Sequence, residues 1–377
     1  MPVTPRVTAV LELVPVLVVA GASRVLVVLA GRFGHRHVPW DPTSPTDAAL
    51  APTLFHWDAL RYVEIATHGY TSEALTAHFP LYPLLAAAIA RGAHVPERAA
   101  LLGVANVAFV AAACLLYVVG RHAVGARAAT IAVATMSFFP STVFLSAAYP
   151  ESLFLALSLV VFLALERGHL SVAAAVAGLA AACRPFGVLL ALPVVLDAWR
   201  RRDAGVARPL LRCAMLAVLS VWGLLAYLAY LAAVFGNAAV LAGPLPPPAL
   251  GEYLPWRLLG AAIASGSREA VVNVAFFTAF LVVTVLAMRR LPDRYTAFSL
   301  GMLALLFWRA PYFAQSPGYT HLAFASVHRY VIAVAPLHLS VAALIGERSG
   351  LAVAWLGLSA GLSVFWTALY AQGYVIR

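Results

Sequence analysis

Charge is what this chain has least of: 11% of its residues are Asp, Glu, Lys or Arg, against 63% apolar. No polar block is long enough to form a separate soluble domain, so a single membrane-embedded domain over residues 1–377 is the simplest organisation. The apolar runs repeatedly reach the ~20 residues that cross a bilayer as helix. Within lipid only helices and closed barrels satisfy their own backbone, and these Leu-, Ala- and Val-rich runs lack the period-two alternation of barrel strands. The fold class is therefore all-α, a polytopic transmembrane helical protein.

Cysteine is scarce too. Cys114, Cys183 and Cys213 stand apart in or beside apolar segments, with no CxxC pair and no His at ligand spacing. They read as small core residues, not as a disulfide or zinc site. No Asn-x-Ser/Thr acceptor occurs, since Asn106, Asn237 and Asn273 are each followed by two apolar residues. A cleavable signal peptide is also missing: the apolar stretch 9–30 is too long for one and has no small-residue cleavage site after it, so it should stay as an anchor. No repeat of fixed period is visible. The net charge of +10 raises nucleic acid as a partner, but the arginines cluster at the ends of apolar segments, where they act as topology determinants.

What is present is a series of spanning candidates: 9–30, 98–120, 127–147, 151–165, 211–234, 271–288, 295–310, 329–346 and 350–371. Residues 79–90 carry two prolines and are too short to cross, while 170–198 is long enough for a hairpin broken at Pro185. With that choice, the basic clusters at Arg121/Arg127, Arg167, Arg200–Arg202 with Arg208 and Arg212, Arg289–Arg294 and Arg348 all fall on the cytoplasmic side. This gives about eleven crossings with the C-terminus outside. The outer face then receives 31–97, the corners at 147–151 and 184–187, and the loops 235–270 and 311–328. It also collects Asp41, Asp47, Asp58, Glu64, Glu73, Glu97, Glu151, Glu252 and Glu269.

The densest polar stretch is 56–70, HWDALRYVEIATHGY. Helical spacing puts Trp57, Arg61, Glu64 and His68 on one stripe and Ala59, Tyr62, Val63, Ala66 and Tyr70 on another, the pattern of a helix lying in the interface. Gly69 should end it. Asp58 falls in the first turn, where it is either a catalytic carboxylate at the membrane surface or a helix cap paired with Arg61. Glu151 follows Tyr149-Pro150 and is either functional or the N-terminal acid of the helix that Pro150 starts. Arg184, set before Pro185 among apolar residues, wants an anion or a carboxylate on a neighbouring helix. Beyond the aromatic loop 311–328, His328-Arg329-Tyr330 offers a phosphate-binding arginine or an interfacial anchor.

Taken in order, His56-Trp57-Asp58-Ala59, Ile65-Ala66, Gly69-Tyr70, Phe79-Pro80-Leu81-Tyr82-Pro83-Leu84, Phe139-Pro140, Ser146-Ala147-Ala148-Tyr149-Pro150-Glu151-Ser152 and Arg184-Pro185-x-Gly187 resemble the PIG-V family. This is the family of the second mannosyltransferase of GPI-anchor assembly, with bacterial relatives. The resemblance covers 56–187 and implies the GT-C superfamily: many transmembrane helices, an acidic catalytic residue in the first external loop, and a polyprenyl-phosphate sugar donor. It implies Asp58 as general base, Arg184 and Arg329 as donor-phosphate ligands, and His56, Trp57, Arg61, Tyr149, Glu151 and His328 around the sugar and acceptor. No cofactor is implied, and no metal is demanded, because arginines can neutralise the departing lipid phosphate.

The expected activity is thus an inverting, polyprenyl-phosphate-mannose-dependent mannosyltransferase. Its acceptor would be a glycolipid, polysaccharide or protein at the extracytoplasmic face of a bacterial plasma membrane. Prolines 80 and 83 fit a short external helix resting beside the site. The rival is a transporter or lipid flippase, which should carry ionisable residues in the middle of several spans. A structural membrane subunit is the third reading.

Overall fold

The structure, a computed structural model, describes residues 5–41, 54–202, 208–238, 255–313 and 326–374. Asp47 and Glu252, and the parts of the expected outer loops at 42–53, 239–254 and 314–325, lie outside the described residues. Among the described residues the chain is helical with no β-strand.

The helices are α1 Pro5–His37, α2 Asp58–His68, α3 Leu81–Ala93, α4 Glu97–Val124, α5 Ala126–Ser137, α6 Glu151–Glu166, α7 Leu170–Cys183 and α8 Ala191–Arg200. They continue as α9 Pro209–Ser220, α10 Trp222–Phe235, α11 Pro255–Ala264, α12 Arg268–Ala287, α13 Asp293–Phe313, α14 Val327–Ile332, α15 Ala335–Ile345 and α16 Ser349–Tyr370. Short 3-10 turns occupy Glu73–Leu75, Thr142–Leu145 and Pro185–Leu190.

Among the described residues four helices are long and apolar enough to cross a membrane: α1 over Glu12–His37, α4, α12 and α16. The pair α9 and α10, bent by 53°, makes a fifth if it counts as one span. Length and apolarity do not confirm the expected count of about eleven crossings, and several of the apolar runs are broken. The run 127–147 is helical only to Ser137, where Pro140 disfavours helix in the residue before it and Thr142 Oγ1 donates to the Ser137 carbonyl at 2.9 Å. The run 329–346 divides between α14 and α15. Pro336 has no N–H for the carbonyl of Ile332, and His338 Nε2 takes that carbonyl at 2.8 Å instead.

The break at Pro185 does occur, and the chain folds back on itself there. Its turn approaches α7 so closely that a Cβ on Gly187 would lie 2.3 Å from the Ala180 carbonyl, so the motif glycine makes room for backbone. Residues 211–234 are divided by the bend after Ser220, where Trp222 Nε1 donates to the Ala175 carbonyl at 3.0 Å.

The charges sort to two ends of the bundle. At one end Arg121 meets Glu12, His122 lies 3.3 Å from Glu166, Tyr295 donates to Glu166 at 2.6 Å, Arg294 reaches Asp197 at 3.0 Å, and Arg200 meets Asp293. At the other end gather His56, Asp58, Glu151, Arg184, Arg329 and Tyr370.

Candidate active site

The helix α2 begins at Asp58 and stops at Gly69, whose φ of 76° is a conformation glycine adopts freely and whose N–H returns to the Ile65 carbonyl. It buries Ala59, Tyr62, Ile65 and Ala66; the apolar stripe read from spacing included Val63 and Tyr70, which are only partly buried. Tyr62 stands edge-on to His78, Tyr82 and Tyr149, with centroids 5.2, 5.3 and 6.4 Å away. These contacts fix the rotation of α2 and so the direction of Asp58.

Asp58 does not pair with Arg61. Arg61 projects outward, more than half exposed, and pairs with Glu64 at 3.5 Å one turn along. Asp58 Oδ2 instead accepts from Arg329 Nη1 at 2.7 Å, and Oδ1 lies 3.6 Å from His78 Nε2. Arg329 Nε donates to Glu151 Oε1 at 2.6 Å, and Arg184 Nη1 is 2.6 Å from the same oxygen. Four residues from α2, α6, α14 and the turn after α7 thus form one chain of ion pairs: Asp58, Arg329, Glu151, Arg184.

Burial is steep along this chain. Asp58 is 40% exposed, Arg329 12%, Arg184 7% and Glu151 0%. Arg329 also lies over the rings of Tyr149 and Phe144, at 4.4 and 5.3 Å, and Arg184 over Phe186 and Tyr330, at 5.4 and 5.5 Å. Two guanidiniums and two carboxylates sum to zero charge. Burial raises the pKa of Asp58, but the Arg329 charge and the His78 contact outweigh it and hold the carboxyl well below its usual range.

The cluster does not lie at the outer ends of the long helices. α4 and α6 run antiparallel from a shared end at His122 and Glu166. Their 28 and 16 residues correspond to about 42 and 24 Å, so Glu151 begins α6 about 18 Å short of the far end of α4. Asn106, ten residues into α4's descent, donates to the Ser146 carbonyl at 3.0 Å at this level. The cluster therefore lies in a recess below that end of α4, with Asp58 at its more open side. Its floor is the broken segment 138–150, which a continuous helix would have filled.

Around the recess, His56 holds the start of α2 through its backbone: its carbonyl accepts from Tyr149 at 2.9 Å, and its N–H donates to Tyr370 at 3.3 Å. Its imidazole is edge-on to Tyr370, and burial lowers its pKa to about 4, partly offset by the Ala371 backbone, so the ring is neutral at physiological pH. Trp57 adopts φ 56° and ψ −121°, a strained backbone for a bulky residue. Its indole Nε1 is buried and has no acceptor among the described residues. His328, expected in the substrate site, joins an aromatic wall of Phe144, Phe276 and Trp366.

Three further residues belong to the site and were not singled out from sequence. His78 contacts Asp58 from the loop before α3, and Tyr370 reaches in from the last helix. Arg24 lies near the middle of α1, donating to Ser146 Oγ at 2.5 Å and Thr142 Oγ1 at 2.7 Å, with its guanidinium 3.8 Å above the Phe109 ring. It pins the turn that leads to Tyr149 and Glu151. An arginine inside the apolar run VLVVAGASRVLVVLAG is costly in lipid and was the available signal.

Residues 44–196 match the family described as Mannosyltransferase (PIG-V). No curated protein sequence matches the chain. Among solved structures it is similar to ArnT from Cupriavidus metallidurans in the apo state, at 16% identity over 94% of this chain and 78% of that one, TM-score 0.44. It is also similar to the Archaeoglobus fulgidus oligosaccharyltransferase in complex with Zn and sulfate, at 16% identity over 92% of this chain and 52% of that one, TM-score 0.42. The oligosaccharyltransferase AglB from Archaeoglobus fulgidus, in complex with an inhibitory peptide and a dolichol-phosphate, shares 14% identity over 93% of this chain and 55% of that one, TM-score 0.43. The chain spans about half the length of these oligosaccharyltransferases.

Proposed function

From the premise that residues 44–196 carry the mannosyltransferase (PIG-V) family sequence, we propose that this integral membrane protein is an inverting glycosyltransferase of GT-C type. It moves mannose from a polyprenyl-phosphate donor to an acceptor hydroxyl on the extracytoplasmic side. The observation that carries the reading is the Asp58–Arg329–Glu151–Arg184 chain, which joins a half-exposed carboxylate to two buried cations within bonding distance.

Asp58 is the general base. As the acceptor oxygen forms its bond to the anomeric carbon, its proton passes to Asp58 Oδ1 or Oδ2. The carbon–oxygen bond to the lipid phosphate breaks on the opposite face, and the electron pair leaves with the phosphate. Configuration at the anomeric carbon inverts because entry and departure are in line. Arg329 and Arg184 meet the growing phosphate charge as preorganised donors in a poorly solvated recess.

The resting ion pair matters to this chemistry. A carboxylate held at low pKa by Arg329 is a weak base. When the donor phosphate draws Arg329 toward itself, Asp58 loses the charge that depresses its pKa and becomes the stronger base that burial favours. Donor binding and base activation are therefore coupled through one guanidinium. The strained Trp57, whose indole N–H has no acceptor among the described residues, is in this reading a donor to the sugar.

The four long apolar helices by themselves offer transport no chain of charges. Of the charged residues on α1, α4, α12 and α16, Arg24 alone is near mid-helix, and hydroxyls and an aromatic ring occupy it. The test is Asp58→Asn, which keeps the side-chain shape, assayed by transfer of labelled mannose from polyprenyl-phosphate-mannose to membrane extracts. Transfer should fall ~10²–10⁴-fold, the usual contribution of a general base, with the folded protein still recovered. Wild-type rates in that variant would sink the assignment of Asp58.

A further inference from the structure

At the end of the bundle opposite Asp58, a groove of about 870 Å³ runs between the start of α7 and the bent pair α9–α10. Its composition changes along its length. Ser171, Arg208 and Arg212 line one end, and Met215, Leu219 and Trp222 the other. The apolar part is open to its surroundings: Leu211 is 51% exposed, Met215 64% and Val218 60%. The 53° bend after Ser220 opens the notch, and the Trp222 hydrogen bond to Ala175 holds its far wall.

Three arginines at this end of the bundle are paired with carboxylates. Arg200 is paired with Asp293, Arg201 with Asp197 and Arg294 with Asp197. Arg208 and Arg212, one helical turn apart at the start of α9, have no carboxylate partner among the described residues. From Arg208 to Leu219 the groove follows α9 for about 17 Å, close to the ~15 Å of one leaflet of a 30 Å hydrocarbon core. Two cations with no carboxylate partner among the described residues, at one end of a leaflet-deep apolar groove, fit an amphiphile with an anionic head.

We propose that this groove is a binding site for an anionic phospholipid of the leaflet opposite the Asp58 recess. The headgroup phosphate lies between Arg208 and Arg212 with Ser171 beside it, and an acyl chain follows Met215 and Leu219 to Trp222. The site is separate from the proposed donor site, being at the other end of the helices, and stands whether or not the mannosyltransferase reading holds. The positive-inside pattern makes this the cytoplasmic leaflet, whose anionic lipids attract such arginines by about 1 kcal/mol each.

The full-length protein is reconstituted in nanodiscs of phosphatidylcholine with or without one part in five phosphatidylglycerol, released gently, and the lipids bound to it are counted by native mass spectrometry. Wild type should retain one phosphatidylglycerol in preference to phosphatidylcholine. The double variant Arg208→Gln/Arg212→Gln should bind it roughly 25-fold more weakly, about 1 kcal/mol per arginine at tenfold per 1.4 kcal/mol. The control Arg127→Gln/Arg348→Gln removes the same charge from exposed residues outside the groove and should leave retention unchanged. Leu219→Trp, which fills the groove and keeps both arginines, should also reduce it.

Equal retention of the two lipids, or an equal loss in the control, would overturn the site in favour of diffuse attraction. Retention of a polyprenyl phosphate in place of phosphatidylglycerol would overturn the choice of lipid. A change in sugar transfer is not part of the readout, so failure here is distinguishable from failure of the proposed activity.

Discussion

Glu151→Gln is the most informative perturbation of the recess. The side chain is 0% exposed, and its Oε1 is shared by Arg184 and Arg329, which are 7% and 12% exposed. Asp58 still compensates Arg329 in the variant, but Arg184 loses the one carboxylate that contacts it among the described residues. Removing one partner of a buried pair leaves an uncompensated charge and costs about 3–5 kcal/mol. At ~2 °C per kcal/mol for a chain of this size the melting temperature falls by roughly 6–10 °C. The assay is thermal unfolding of purified protein in nanodiscs, followed by tryptophan fluorescence. A second variant, Glu151→Gln with Arg184→Met, removes both charges and should recover about 1–3 kcal/mol of the loss as a coupling term. If Glu151→Gln melts within about 1 °C of wild type, or if the double variant melts at the simple sum of its singles, the pair is not the buried structural unit described above.

Asp58 stabilises its pair with Arg329 above its ordinary pKa and loses that contribution only as pH falls through its depressed one, so wild-type kcat/KM for the donor, which reports the free enzyme, should show no acid limb from Asp58 between about pH 5 and 8. In Arg329→Met only the His78 contact still opposes burial, and the acid limb of the same profile for the residual transfer should move to higher pH; an unchanged profile would contradict the pairing. Arg24→Lys keeps the charge but cannot fork between Thr142 and Ser146, and should cost about 1.5–3 kcal/mol of stability for one charged hydrogen bond, read by the same melting assay; an unperturbed melt would mean that Arg24 does not hold this turn. Gly187→Ala places a methyl 2.3 Å from the Ala180 carbonyl, and should displace Arg184 enough to lower transfer ~10²-fold, the scale of a 1 Å misplacement. Full transfer in that variant would show that the turn can move without consequence.

The sequence by itself determined the class of molecule. Long Leu/Ala/Val runs without charge leave helices as the form that satisfies a backbone in lipid, and Gly69 and Pro185 mark where two helices end because their backbone chemistry is local. Asp58, Glu151, Arg184 and Arg329 were legible too, since ionisable groups are rare here and each stands beside an aromatic or proline that makes it conspicuous. Their partners were not. Local spacing offered Arg61 to Asp58, yet Arg61 turns to Glu64 and Asp58 takes Arg329, 271 residues along the chain. A pairing across helices depends on how each helix is rotated, which Tyr62 and its aromatic neighbours decide by packing.

The continuity of apolar runs was also beyond local reading. Hydropathy alone counts 127–147 and 329–346 as spans, but Pro140 disfavours helix in the residue before it while Thr142 takes the Ser137 carbonyl, and Pro336 withholds the donor for Ile332, whose carbonyl His338 takes. Those breaks shape the recess in which Asp58, Arg329, Glu151 and Arg184 meet. What composition fixes, in physical terms, is where the chain can be placed relative to lipid, a sum over many residues. Which cation meets which carboxylate, and at what depth, is set by a few close contacts that only the packed helices bring together.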